Sequence, residues 1–294
     1  MNFSKWSNHA KGIALSGIGV LIISPDALFV RLVDTDVWTI VFWRAFFVAI
    51  GLTLIVLATK RTLSVKAFTS MGRPGLLISV LYACGMTAFI YAVEHTSVAH
   101  TLIILSTTPL FAALVSWFWI RQHISRRTWI AIGVVVLGIV VMSSATGEQN
   151  TSVVGDLAAI LGAFSLGTTF TVAQRYPNQS MLPGFIIGAL LLVLVMSWLA
   201  SPLSVSVNDM IFLSIMGCIL LPLGMTFMYL GPRYISSAEV GLMMLLETVL
   251  GPLWVWVVMG ESPSGRTLTG GAIIISALIL NLYIGIRSQS KYMR

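Results

Sequence analysis

The segment GMTAFIYAVEH (residues 85–95) returns, without a gap, as GMTFMYLGPRY (residues 224–234). The same offset of 139 residues matches Ser97 with Ser236, Ala99 with Ala238, Leu114 with Leu253 and Trp117 with Trp256. Ser125, Arg127 and Thr128 then meet Ser264, Arg266 and Thr267. Weak internal symmetry in a very apolar chain is the mark of secondary transporters built from two related halves, with substrate held between them near the bilayer midplane.

The rest of the composition agrees with a membrane protein. Hydrophobic residues make up 57% of the 294 and charged residues 9%, against about 25% charged in a typical soluble domain. Apolar runs of about 20 residues, each able to cross a hydrocarbon layer of roughly 30 Å, predict an all-α integral membrane protein. Ten spans are expected: Lys11 to Val30, Val37 to Ala58, Gly72 to Val93, Ser97 to Ile120, Arg127 to Ala145, Gly155 to Gln174, Met181 to Ala200, Asn208 to Gly231, Ser236 to Met259 and Thr267 to Ile286.

The net charge of +7 is a topology signal rather than a nucleic-acid footprint. With both termini on the cytoplasmic side of the inner (plasma) membrane, the inner face collects Lys5, Lys11, Lys60, Arg61, Lys66, Arg73, Arg121, Arg126, Arg127, Arg175, Arg233, Arg287, Lys291 and Arg294, and the outer face only Arg31 and Arg266. That asymmetry follows the positive-inside rule. Asp34, Asp36, Glu94, Glu148, Asp156, Asp209 and Glu261 fall outside. The first apolar segment is longer than a signal-peptide core and reads as a retained span. Cys84 and Cys218 sit within predicted helices and carry no metal or disulfide signature.

Five spans per half force corresponding helices to cross in opposite directions. Residues 1–145 form the first five-helix repeat, residues 146–154 a polar outer connector, and residues 155–294 the second repeat. Outer Glu94 and His95 align with inner Arg233 and Tyr234, so the copies keep their apolar pattern while exchanging their charge bias. Gly12 and Gly19 align with Gly155 and Gly162 at a slightly larger offset, 143.

Several short stretches resemble the EamA-type families of the drug/metabolite transporter superfamily along essentially the whole chain. They are Phe42-Trp43-Arg44, Thr96-Ser97-Val98-Ala99 leading to Thr108-Pro109-Leu110, Ser236-Ser237-Ala238 leading to Leu246-Glu247, Gly260-Glu261 and Gly270-Gly271. The resemblance implies a transporter of small organic molecules and no enzyme activity or cofactor. Two positions depart from the family pattern. Thr248 follows the acid of the ninth span where members often carry Pro, and Arg121-Gln122 stands where many have Gly-Glu.

An ionisable side chain within a span costs roughly 2.5–3.5 kcal/mol on insertion scales, so each one requires a reason. Glu247 lies about 16 Å along the ninth span, near the midplane, and its repeat mate is Thr108. It either binds a proton or a cationic substrate group, or ties its helix to a neighbour. Asp26 and Arg44 have matching depths in adjacent spans and are expected to pair. Pro25, Pro109, Pro222 and Pro252 interrupt the first, fourth, eighth and ninth spans, and the carbonyls they free are tolerable only in protein or along a cavity. Tyr82, Thr87, Phe111, Phe164, Thr226 and Tyr229 are further candidates for the wall of a site.

His9, His95, His100 and His123 have no zinc-ligand spacing, and no Walker loop or nucleophile constellation occurs. These observations predict a secondary active transporter of a small organic metabolite, such as an amino acid or related compound, working by alternating access on a proton gradient or by exchange. Its partners are that substrate and membrane lipid. The residues leave direction and oligomeric state open, and the resemblance favours export over uptake. A membrane-embedded enzyme needs a reactive cluster that the chain lacks, and a lipid-flipping accessory subunit fits two complete repeats less naturally.

Overall fold

A computed structural model describes residues 7–60, 71–95, 101, 104–143, 153–260, 269–270, 272–277, 279–281 and 283–284. Outside the described residues lie most of the connector (146–152), the Thr96-Ser97-Val98-Ala99 motif, Glu148, Glu261, the arm of the repeat from Ser264 to Thr267, Trp6, and the basic residues Lys5, Arg61, Lys66, Arg287, Lys291 and Arg294.

The described residues contain helices and turns and no strand. That restriction follows from the solvent, because a chain in hydrocarbon must satisfy its backbone polar groups internally. In chain order the helices are α1 (Asn8–Ile23), α2 (Asp26–Leu32), α3 (Val37–Lys60), α4 (Gly72–His95), α5 (Thr108–Val115), α6 (Arg126–Ser143), α7 (Val153–Arg175), α8 (Leu182–Met196), α9 (Val207–Ile215), α10 (Leu221–Met228) and α11 (Ser237–Met259). A shorter apolar helix, α12, follows at Ala272–Asn281.

Six segments are long and apolar enough to cross a membrane: Asn8–Val30, Val37–Thr59, Gly72–Ala92, Val153–Arg175, Val207–Arg233 and Ser237–Val258. Thr108–Ile120, Leu182–Met196 and Ala272–Asn281 are shorter apolar helices. The seventh expected span is thus trimmed. Its helix ends at Met196, and a turn leads to a short 3-10 segment opened by Pro202.

Proline acts differently at each of its four positions. At Ser24 and Pro25 the chain turns and α2 begins anew. Pro109 lies in the first turn of α5, after a turn at Ser106 and Thr107. Before Pro222 the chain widens into a π-helical segment, Met216–Leu220, in which Leu221 N–H reaches back five residues to Met216 O. The proline ring cannot donate to the carbonyl four residues earlier, and the wider turn absorbs that mismatch. Pro252 does not interrupt its span, contrary to expectation: α11 runs unbroken from Ser237 to Met259. One missing N–H removes one bond from a ladder whose other rungs persist.

Close approach of backbones sets the helix directions. α1 runs antiparallel to α10, with Gly19 against Gly224 and Met228, and Gly12 against Ile235 just beyond. A Cβ on Gly19 would stand 2.6 Å from Met228 N and 2.7 Å from Gly224 O, so no larger residue fits this seam. Gly85 faces Ser165 and Gly162 where α4 crosses α7, also antiparallel. α8 runs parallel to α4, with Gly184 on Gly75 and Gly188 on Ser79, and Ser79 Oγ donates to Gly184 O at 2.8 Å. Gly217 packs on Arg44 and Phe47, and Gly51 on Cys218, which sets α9 and its π segment parallel to α3. α5 lies parallel to α7 and antiparallel to α11, where Gly241 meets Pro109. α11 lies parallel to α1, joined at His9–Glu239 and Ser24–Trp254. In a membrane such small-residue seams replace the hydrophobic effect as the source of helix association.

Arg121 ends the π-helical turn Ser116–Ile120 in the left-handed conformation, φ 56°, and its repeat mate Gly260 caps α11 at φ 74°. Both copies demand the same backbone geometry, but only one supplies the residue suited to it. Arg121→Gly is expected to stabilise the folded protein by about 1 kcal/mol. Thermal unfolding in detergent checks this, and an unchanged or lower midpoint counts against a strained cap.

Candidate functional site: a buried charged centre

The break after α1 places Asp26 at the first position of α2, pointing inward. Ser24, just before it, is buried, and its Oγ donates to Leu21 O at 2.9 Å while accepting Trp254 Nε1 of α11 at 2.9 Å. The turn is therefore pinned from both sides. From α3, Arg44 Nη2 donates to Asp26 Oδ2 at 2.8 Å, with relative exposures of 7% for Asp26 and 6% for Arg44. The pair is incomplete: Asp26 Oδ1 and Arg44 Nε are buried without a hydrogen-bond partner. A buried acceptor and a buried donor left open side by side are costly, and the arrangement offers one site for a positive group and another for a negative one.

Glu247, half-buried on α11, lies close enough to this pair to interact electrostatically with both partners. Tyr82 of α4 and Tyr229, at the end of α10, lie on either side of Phe185. Aromatic rings continue the surface. Tyr82 meets Phe185 edge to face at 5.5 Å, and Phe185 lies 4.5 Å and Phe170 5.3 Å from Tyr229. The structure thus gathers five residues singled out in the sequence, Asp26, Arg44, Tyr82, Tyr229 and Glu247, around one interior region contributed by five helical segments.

The hydroxyl candidates are occupied locally. Thr108 is buried and donates to Leu105 O, Thr87 donates to Ala83 O at 2.9 Å, and Thr226 donates to Pro222 O at 2.6 Å. Each bonds its own helix or the turn before it, the usual fate of such side chains. Phe111 and Phe164 meet edge to face at 6.0 Å as a pair of their own. Among the described residues no cluster of three or more His, Cys, Asp or Glu has a metal-binding arrangement, and Cys84 and Cys218 are free thiols.

A helical bundle with ions and aromatics buried at its centre has close relatives in sequence. The model of the EamA-like transporter family matches residues 10–144 and again residues 153–283. The chain belongs to the EamA-like transporter family. It is 26% identical over 244 residues to the pseudopaline exporter CntI of Pseudomonas aeruginosa, covering 82% of this chain and 84% of that one. It is 24% identical over 260 residues to an S-adenosylmethionine uptake transporter of Rickettsia prowazekii, covering 86% and 85%. One crystal structure superposes with a TM-score of 0.76 at 16% identity over 91% of this chain and 96% of the other, a likeness of fold. The protein is a multi-pass membrane transporter of a small molecule.

Sequence reading of this transporter missed three things. Phe185 and Phe170 look like ordinary apolar residues until the fold brings them to Tyr229. The Trp254–Ser24 bond has no local signal. A third feature, Glu239 with His9 and Arg127 at the far end of α1, was legible in part, since Ser236-x-x-Glu239 is a capping-box pattern.

Asp26→Asn leaves Arg44 buried without its counter-charge. The expected loss is about 3–5 kcal/mol of stability, read as a lower thermal midpoint in detergent, and exchanging the two residues should recover part of it. A swap that recovers nothing argues that neighbours other than the pair fix these side chains.

Proposed function

We propose that this transporter is a secondary active carrier that exports a small organic metabolite, such as an amino acid or related compound, across the inner membrane. It works by alternating access, driven by a proton gradient or by exchange. The observation that carries this reading is the incomplete Asp26–Arg44 pair beside Glu247, with one carboxylate oxygen and one guanidinium N–H open. Asp26 Oδ1, with Glu247 nearby, suits an ammonium group, Arg44 Nε suits a carboxylate, and Tyr82, Phe185 and Tyr229 offer an apolar wall. Glu247 then exchanges a proton against the substrate's positive group, since two carboxylates and one guanidinium in a low-dielectric interior favour one added positive charge.

The reading assigns ten spans in two inverted five-helix halves, with both termini cytoplasmic. Packing supports the inversion. α1 runs parallel to α11, α11 antiparallel to α5, and α5 parallel to α7, so α1 and its counterpart α7 point in opposite directions. The Gly19–Gly224 contact of α1 with α10 has its counterpart in the Gly162–Gly85 contact of α7 with α4. Impermeant labels reaching Glu94 and Arg233 from the same side of the membrane would be incompatible with this topology.

The exporter among the relatives supports outward movement. The same centre serves uptake, the direction named for the Rickettsia relative. Glu247→Gln is expected to insert normally and lose transport in proteoliposomes loaded with a metabolite panel. Full transport by that variant removes Glu247 from the mechanism, and efflux measured against influx under an imposed gradient assigns direction.

A further inference from the structure

We propose that Glu239 is a latch between the two halves, closing the path between an end cleft and the charged centre. This role rests on the alternating-access reading above. Glu239 occupies the first turn of α11, where one of its oxygens completes a capping box. Oε2 accepts Ser236 N–H at 3.1 Å and Ser236 Oγ–H at 2.9 Å, while Ser236 Oγ accepts Glu239 N–H at 3.2 Å. An N-terminal cap is complete at that point and requires nothing from elsewhere.

The other oxygen is committed to distant partners. Oε1 pairs with His9 Nε2 of α1 at 3.1 Å, across 230 residues of sequence, and accepts Arg127 Nη2 of α6 at 3.3 Å, across 112. His9 and Glu239 are buried, at 2% and 6% exposure, and the Arg127 side chain is one-quarter exposed. The cap holds the carboxylate in a fixed orientation. Its Oε1 thereby draws α1 and α6, from the first match to the family model, onto α11 of the second. Gly12 reinforces the closure, because a Cβ there would stand 2.6 Å from Ile235 Cγ2.

The contact lies at the edge of a cleft of about 420 Å³ whose lining includes His9, Gln122, Arg127, Gln174, Arg233 and Glu239. His123 also faces it. Along α11, Glu239 precedes Glu247 by eight residues, about 12 Å or two helical turns. A solute moving from the cleft toward the centre along α11 passes Glu239, and at this end of the bundle α1 and α6 are tied to α11 by the bonds to one carboxylate oxygen. Separation of α1 and α6 from α11 breaks them together. Reclosure restores them without searching for geometry, because the capping box keeps the acid in place.

The test measures opening without any substrate, so it can fail while transport survives, and transport can fail while it succeeds. In a Cys84→Ser, Cys218→Ser background, Ile235→Cys places a thiol at the cleft and Asp34→Cys places one at the opposite end of the bundle. The rate of maleimide labelling is then followed in nanodiscs. Glu239→Gln preserves the cap, because Gln also serves a capping box, but removes the charge. It is expected to raise labelling at residue 235 at least fivefold and leave residue 34 within twofold. Arg127→Gln, at a more exposed position, is expected to give a smaller rise and decides the matter if the Glu239 variant does not fold. Unchanged labelling at residue 235 in the folded variants, or an equal rise at both positions, overturns the latch.

Discussion

A guanidinium within a hydrocarbon layer needs a counter-charge, and Arg44 finds one only because the chain breaks at Ser24 and Pro25. Had α1 continued straight, Asp26 would follow the rotation of that helix instead of starting a new one. The break is secured by Trp254 from α11, which brings the helix carrying Glu247 to the same depth. The ion pair thus fixes α2 against α3, the Trp254–Ser24 bond adds α11, and the aromatic surface from α4, α7, α8 and the end of α10 lies beside them. The incomplete pairing follows from the same geometry. A guanidinium approached by a single oxygen from one side leaves its Nε–H without a partner.

The two copies of the repeat are alike in shape and unlike in chemistry. Thr108 stands where the second copy has Glu247, and Thr108 turns its hydroxyl to the preceding turn, whereas the second copy carries a carboxyl there. Arg121 and Gly260 share a left-handed cap, although one has a long charged side chain. Gln122, beside Arg121, accepts from Gln174 Nε2 at 2.7 Å, and Gln174 Oε1 accepts Ser237 N–H at 3.1 Å. These amides bridge α7 and α11 at the position where many family members place an acid. Divergence has therefore concentrated at the centre and at one end, while the small residues that let helices touch remain recognisable.

Much of this was legible in the sequence because the bilayer imposes few options. Apolar runs, the repeat and the cluster of intramembrane ions each map to one physical constraint, and Asp26, Arg44 and Glu247 follow from the cost of burying charge. The motifs carrying the family resemblance led to the EamA-like family. Features that depend on tertiary approach were not legible. Nothing local distinguishes Phe185, which touches Tyr229, from other apolar residues of its helix. Pro222 and Pro252 read alike in sequence, but the first is preceded by a π turn and the second lies in an unbroken helix. The ladder around each proline decides that outcome, and neighbouring helices shape the ladder. Glu239 was overlooked because a capping acid is ordinarily a local device, and only the fold brings His9 and Arg127 to its second oxygen.

The seam between α1 and α10 has one more implication. Where Gly19 meets Gly224, backbone stands against backbone, and on either side the Ile23 side chain sits in the notch over Gly224 and Ile235 in the notch over Gly12. Side chains seated in such notches resist sliding, because each must leave its notch before entering the next. The joint behaves as a keyed shaft: held against slip along its axis, and intolerant of any added methyl group.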